Sequence, residues 1–236
     1  MKYFIANWKM NGSQKSLELY CKHILDNDKF DSSKFILSVP AILTSAAYDL
    51  LNKTNISLSA QCVSEHNHGA HTGQLSADMF SNFGCSYALV GHSERRKFES
   101  IESTCNQVKQ CLANNLKPII CIGETLEEKQ SARTKDVLLA QLKPILDMLD
   151  ESSDIWIAYE PRWAIGSGLT PDNKEINMIN HWVKELIDTK FIYGGSVNPD
   201  NIKTLAECDV DGFLVGGASL DYNSTNQMVN ICTHYS

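Results

Sequence analysis

The chain has 236 residues, 43% of them hydrophobic and 21% charged, with a formal net charge of -7. It can bury a sizeable core, and its acidic balance argues against a general polyanion binder, nucleic acid included, while leaving room for a local basic pocket that takes a small phosphate. Met1 to Lys9 lacks a long apolar region with a cleavage site and no run of 18 apolar residues occurs, so a cytoplasmic location without a membrane span is expected.

Short apolar runs with the β-rich composition of buried strands lie at Tyr3–Ala6, Phe35–Val39, Ile56–Ala60, Tyr87–Val90, Pro118–Ile122, Ile155–Tyr159, Phe191–Tyr193 and Gly212–Val215. Helical spacing falls between them. Leu17, Tyr20, Cys21, Ile24 and Leu25 share one face, as do Leu138, Leu142, Ile145, Leu146 and Leu149, and again Ile176, Ile179, Val183, Leu186 and Ile187. Thr170-Pro171 and Asn198-Pro199 each set a capping side chain before proline and predict helix starts. Eight cysteines are scattered singly, without a C-x-x-C pair, and reduced thiols are expected. With no linker to cut at, residues 1–236 are predicted as one catalytic domain. Strict alternation fits an open doubly wound sheet or a closed barrel; eight strand-helix units in this length favour an α/β fold of the (β/α)8 type, whose chemistry sits at the strands' C-terminal ends.

Polar residues collect at those ends. Asn7 and Lys9 follow the first strand, His92 the fourth, Glu160 ends the sixth, and glycine turns follow the sixth, seventh and eighth. After Glu160, Pro161 stiffens the chain while Gly166 and Gly168 loosen it around the apolar tip Trp163 to Ile165, which is how a lid is built. Taken singly, each feature has a plain reading: a solvated carboxylate, a structural histidine, a surface lysine, ordinary turns. No Walker sequence and no dinucleotide fingerprint appears.

Taken together, Asn7-Trp8-Lys9-Met10-Asn11-Gly12, Gly91-His92-Ser93-Glu94-Arg95-Arg96, Ala158 to Gly168, Tyr193-Gly194-Gly195-Ser196-Val197 and Asp211 to Leu220 resemble the signature segments of the triosephosphate isomerase family. The resemblance implies a TIM barrel that interconverts D-glyceraldehyde 3-phosphate and dihydroxyacetone phosphate through an enediol(ate), in glycolysis and gluconeogenesis, with neither cofactor nor metal. It implies Glu160 as the base, its basicity raised by a closed apolar lid, and His92 with Lys9 as partners of the developing oxyanion. Ser93 to Arg96 looks like a helix start whose dipoles would keep His92 neutral, as in that family. Asn7 would orient the substrate, Glu94 would support Lys9 and His92, and Ser93 would contact Glu160 before closure. Gly166, Ser196, Gly216 and Gly217 would hold the phosphate.

By the same resemblance the loop around Cys62 to Gln74 inserts into a second subunit, so a homodimer is expected. Gln74, Cys62, His71, Arg162 and Ser167 stand where the family more often has Glu, Asn, Phe, Val and Thr. A glutamate at position 74 would pair with Arg95; Gln74 leaves at most a neutral hydrogen bond. His66, His68 and His71 with Cys62 are suitable metal ligands, but their spacing matches no standard pattern and adventitious binding is the expectation. A rival reading is a different phosphate-binding barrel, such as an aldolase or a phosphosugar synthase; a Schiff-base aldolase would need a lysine on the sixth strand, and Ile155 to Tyr159 has none. A non-catalytic barrel is the remaining rival, which loss of the site residues would favour; all are present.

Overall fold

The computed structural model describes residues 1–32 and 34–235. Among them are eight strands: β1 (Tyr3–Asn7), β2 (Phe35–Ser38), β3 (Ser57–Ala60), β4 (Cys85–Val90), β5 (Lys117–Ile122), β6 (Trp156–Tyr159), β7 (Lys190–Tyr193) and β8 (Gly212–Val215). All pair in parallel with their sequence neighbours, and β8 pairs back onto β1, so Phe4 lies opposite both Phe35 and Phe213 and the sheet has no edge. The (β/α)8 barrel expected from the alternation is the fold.

The same residues form helices α1 (Gln14–Leu25), α2 (Asp28–Ser32), α3 (Thr44–Leu51), α4 (Ala77–Asn82), α5 (Ile101–Ala113), α6 (Leu126–Gln130), α7 (Thr134–Leu146), α8 (Asn173–Leu186), α9 (Ile202–Leu205) and α10 (Tyr222–His234). Their apolar stripes cover the barrel: α1 buries Leu17, Tyr20, Cys21 and Ile24, and α8 buries Ile176, Ile179 and Val183. Leu25 and Leu186, assigned to those stripes by spacing, are exposed, because each ends its helix where the surface curves away.

Both expected helix starts move. The cap of α8 is Asp172, whose side chain accepts the Glu175 N–H at 2.8 Å, two residues beyond Thr170. The start expected at Asn198-Pro199 moves as well: Asn198 Oδ1 accepts from Asp200 N and Asn201 N in a turn, and α9 begins only at Ile202, behind Asn201.

The core has two layers. Ile5, Ile36, Leu89, Ile119, Trp156, Ala158, Ile192 and Leu214 fill the barrel, whereas Phe4, Ala6, Phe35, Val90, Ile157, Tyr159 and Phe213 face the helices. All eight cysteines are free thiols, and burial pushes that of Cys111 up to about 12. Among the described residues no helix is long and apolar enough to cross a membrane.

Candidate active site

Strand alternation decides which side chains reach the mouth of the barrel. A residue two beyond an inward side chain is itself inward, so Asn7 follows Ile5, Glu160 follows Ala158, Gly194 follows Ile192 and Gly216 follows Leu214. His92 breaks the parity set by Leu89, and Gly91 at φ +66° supplies the turn that permits it.

Asn7, Lys9, His92, Glu94, Glu160, Gly166, Ser196, Gly216 and Gly217 line one cleft of about 480 Å³. Gly194 makes room in it: a Cβ there would lie 2.7 Å from Glu160 Cγ. Lys9 holds a left-handed backbone at φ +53°, which costs a non-glycine residue about 1 kcal/mol or more. Two neighbours keep it there. Lys9 N donates to Asn7 Oδ1 at 3.0 Å, and Gln61 Nε2 donates to Lys9 O at 2.9 Å and to Ser38 O at 3.1 Å. Lys9 Nζ reaches Glu94 Oε1 at 2.8 Å.

Glu160 Oε1 lies 3.2 Å from His92 Nε2, both side chains being buried. Its Oε2 is also buried. The Glu94 N–H donates to His92 Nδ1 at 3.3 Å, which leaves the proton of a neutral ring on Nε2, facing the cleft.

The loop expected to act as a lid is tied at both ends. Beyond the turn Arg162–Ala164, Gly166 and Gly168 adopt φ of +67° and +75°. Gly168 N donates to Ser196 Oγ at 3.3 Å, and Ser196 Oγ donates to Ala164 O. Trp163 Nε1 donates to Glu124 Oε1 at 2.9 Å.

A buried carboxylate paired with an imidazole, a strained lysine beside them and glycine-lined space for an anion make a site for proton transfer next to a carbonyl. The family model described as triosephosphate isomerase matches residues 2–232. The chain belongs to the triosephosphate isomerase family. Relatives named triosephosphate isomerase include those of Vesicomyosocius okutanii subsp. Calyptogena okutanii (38% identical, covering 91% of this chain and 92% of the relative) and Methylococcus capsulatus (38%, 92% of each). The protein of that name from Alkaliphilus metalliredigens is 37% identical over 95% of this chain and 97% of its own.

Two expectations drawn from the triosephosphate isomerase resemblance change. Ser93 to Phe98 forms turns, and α5 starts only at Ile101 behind its cap Ser100, so the helix expected to start directly behind His92 does not start there. The charges of Glu160 and His92 also run against what burial alone would give. Burial by itself would raise Glu160, but His92, the hydrogen bond between them, Lys9 and the Ser93 amide outweigh it and hold the carboxyl below its ordinary value. Burial likewise opposes the charged form of His92, and Glu160 more than offsets it, so the imidazole is held above its ordinary value.

Two residues beside the site went unread in the sequence. Gln61 follows β3 and fixes the Lys9 backbone; Glu124 lies just past β5, fully buried, accepting from Trp163 Nε1 and, at 3.2 Å, from Tyr159 O–H. The rule that singled out Asn7 and Glu160, a polar residue ending an apolar strand, points to both. His66 and His71 stack with ring centroids 3.8 Å apart at 6°, so their in-plane nitrogens do not converge; among the described residues no group of three or more His, Cys, Asp or Glu could hold a metal.

Proposed function

We propose that in this chain Glu160 is the base of the family's reaction, the interconversion of D-glyceraldehyde 3-phosphate and dihydroxyacetone phosphate. The observation that carries the proposal is the buried Glu160–His92 contact at the mouth of the cleft. Glu160 removes the proton from the carbon next to the carbonyl and returns it to the neighbouring carbon, one carboxylate on one face of the enediolate. His92 Nε2–H and Lys9 Nζ meet the oxygen on which charge develops, Asn7 orients the substrate, and Glu94 and Ser93 support Lys9, His92 and Glu160. Gly166, Ser196, Gly216 and Gly217 take the phosphate.

The pairing of Glu160 with His92 becomes part of the mechanism. A substrate between them separates the two groups, and what remains for each is burial: Glu160 becomes more basic, and His92, with Lys9 nearby, becomes a neutral donor. The test is conversion of glyceraldehyde 3-phosphate by the purified protein beside Glu160→Gln. Turnover that falls by about 10³-fold or more in the variant is expected; equal rates in the two proteins would overturn the assignment.

The proposed assembly is a homodimer through the loop around Cys62 to Gln74, with the cytoplasm, consistent with eight free thiols, as the proposed location. A second cleft of about 480 Å³ lies beside the first, lined by Lys9, Gln61, Arg95 and the exposed Met10 and Phe98, and the loop of a second copy is its proposed occupant. Gln74 Oε1 accepts from Ser64 Oγ at 2.5 Å, and Arg95 forks onto Glu99 at 2.6 and 2.9 Å, so neither waits for a charged partner across the interface. Sedimentation at twice the chain mass of 26.4 kDa is expected at micromolar concentration; a monomer would contradict it.

A further inference from the structure

The root of the lid holds a second arrangement of charge. Lys129, on α6, places its Nζ 4.0 Å from the centre of the Trp163 ring, over its face. The same ammonium donates to both carboxylate oxygens of Glu175, at 2.5 and 2.7 Å. Trp163 belongs to the first turn of the lid, and Glu175 to the first turn of α8, the helix that receives the chain after the lid ends. Lys129 thus joins the two flanks of the lid from a third element. The indole is gripped twice, at its edge by Glu124 and on its face by Lys129.

All three partners are half-buried, where an ion pair and a cation–π contact are screened less than on an open surface. The aliphatic stem alone could pack against an indole; the ammonium is what can hold the ring and the carboxylate together. None of these atoms lines the active cleft, so the effect on chemistry must pass through the lid.

We propose that Lys129 is a positioning residue for the lid: its ammonium, clamped between the Trp163 ring and the Glu175 carboxylate, sets how firmly residues 165–168 stay over bound phosphate. This rests on the isomerase reading above.

The experiment compares wild type with Lys129→Met, which keeps the stem and drops the charge, and Lys129→Arg, whose guanidinium can stack on the ring and fork to the carboxylate. Glu175→Gln is the second variant, should Lys129→Met fail to fold. The readouts are kcat and KM, the rate of release of 2-phosphoglycolate, a stable anion shaped like the enediolate, and fluorine NMR of fluorotryptophan-labelled protein with the Trp163 signal assigned through Trp163→Phe.

Release about 3- to 10-fold faster in Lys129→Met, with a shifted Trp163 resonance and a matching fall in kcat/KM, is the expected result. Lys129→Arg should restore release to within about twofold of wild type, and Glu175→Gln should move the same readouts in the same direction as Lys129→Met. Wild-type release and an unshifted resonance in Lys129→Met, or in Glu175→Gln standing in for it, would overturn the proposal, as would an arginine variant no better than methionine. A wild type without isomerase activity would count against the isomerase reading instead, because release and the indole signal judge Lys129 without turnover.

Discussion

Strand β1 and its exit carry two lysines, one at each end, and the chain treats them in opposite ways. Lys2, at the N-terminal end of the barrel, is buried and its Nζ donates to Cys208 O at 2.8 Å and Val210 O at 2.7 Å. Its ammonium is met inside the protein. Lys9, at the C-terminal mouth, carries a strained backbone, and its ammonium pairs with the exposed Glu94 across the cleft. The first lysine ties β1 to the turn before β8. The second is held ready for something that is not part of the chain. The difference shows how one fold separates stability from chemistry: polar groups that are satisfied internally fasten one end, and groups kept in a costly geometry mark the other.

Exchanging each lysine for methionine is the sharpest way to break that comparison. Lys9→Met removes a charge aimed at the developing oxyanion and should lower kcat/KM by about 10²- to 10³-fold while leaving the unfolding midpoint near that of wild type. Next in size is Gly194→Ala. Its added methyl meets Glu160 Cγ and would push the carboxylate off its line, and a displacement near 1 Å costs about 10²-fold in rate. Steady-state kinetics with unchanged circular dichroism checks both. The smallest effect on turnover belongs to Lys2→Met, which leaves two buried carbonyls without their donor: stability should drop by about 1–3 kcal/mol in denaturant titration, with kcat unaltered. A Lys2→Met protein that keeps its stability, or a Lys9→Met protein that keeps its activity, would erase the contrast.

The barrel was legible because it is written in repeats. Apolar runs recur eight times with helical spacing between them, and every strand lies within two residues of its predicted span, β4 being the one that starts two residues early. Helix ends were less legible where several capping residues compete, as Thr170 and Asp172 do before α8. The polar residues of the cleft could be picked out because they lie at or a few residues past the end of a strand, and Gln61 and Glu124 could have been found by the same rule.

The charge states could not be read. The turn at Ser93 to Phe98 gives way to α5 only after Ser100, so the helix expected directly behind His92 does not start there. The 3.2 Å meeting of His92 with Glu160 joins residues 68 positions apart, and no local pattern encodes it. Their mutual attraction reverses what burial alone predicts for each, and that balance exists only once the barrel has closed.

The account turns on that balance shifting when substrate parts the pair, so the measurement to make is the ionisation of the Glu160 carboxyl with and without bound 2-phosphoglycolate, by isotope-edited infrared difference spectroscopy against Glu160→Gln. In the free protein the carboxyl should stay ionised at about pH 5 and titrate below the ordinary glutamate value. With the anion bound and the His92 contact broken, burial should dominate and the carboxyl should be protonated well above that value. The same titration in both states would contradict the proposed mechanism at its centre.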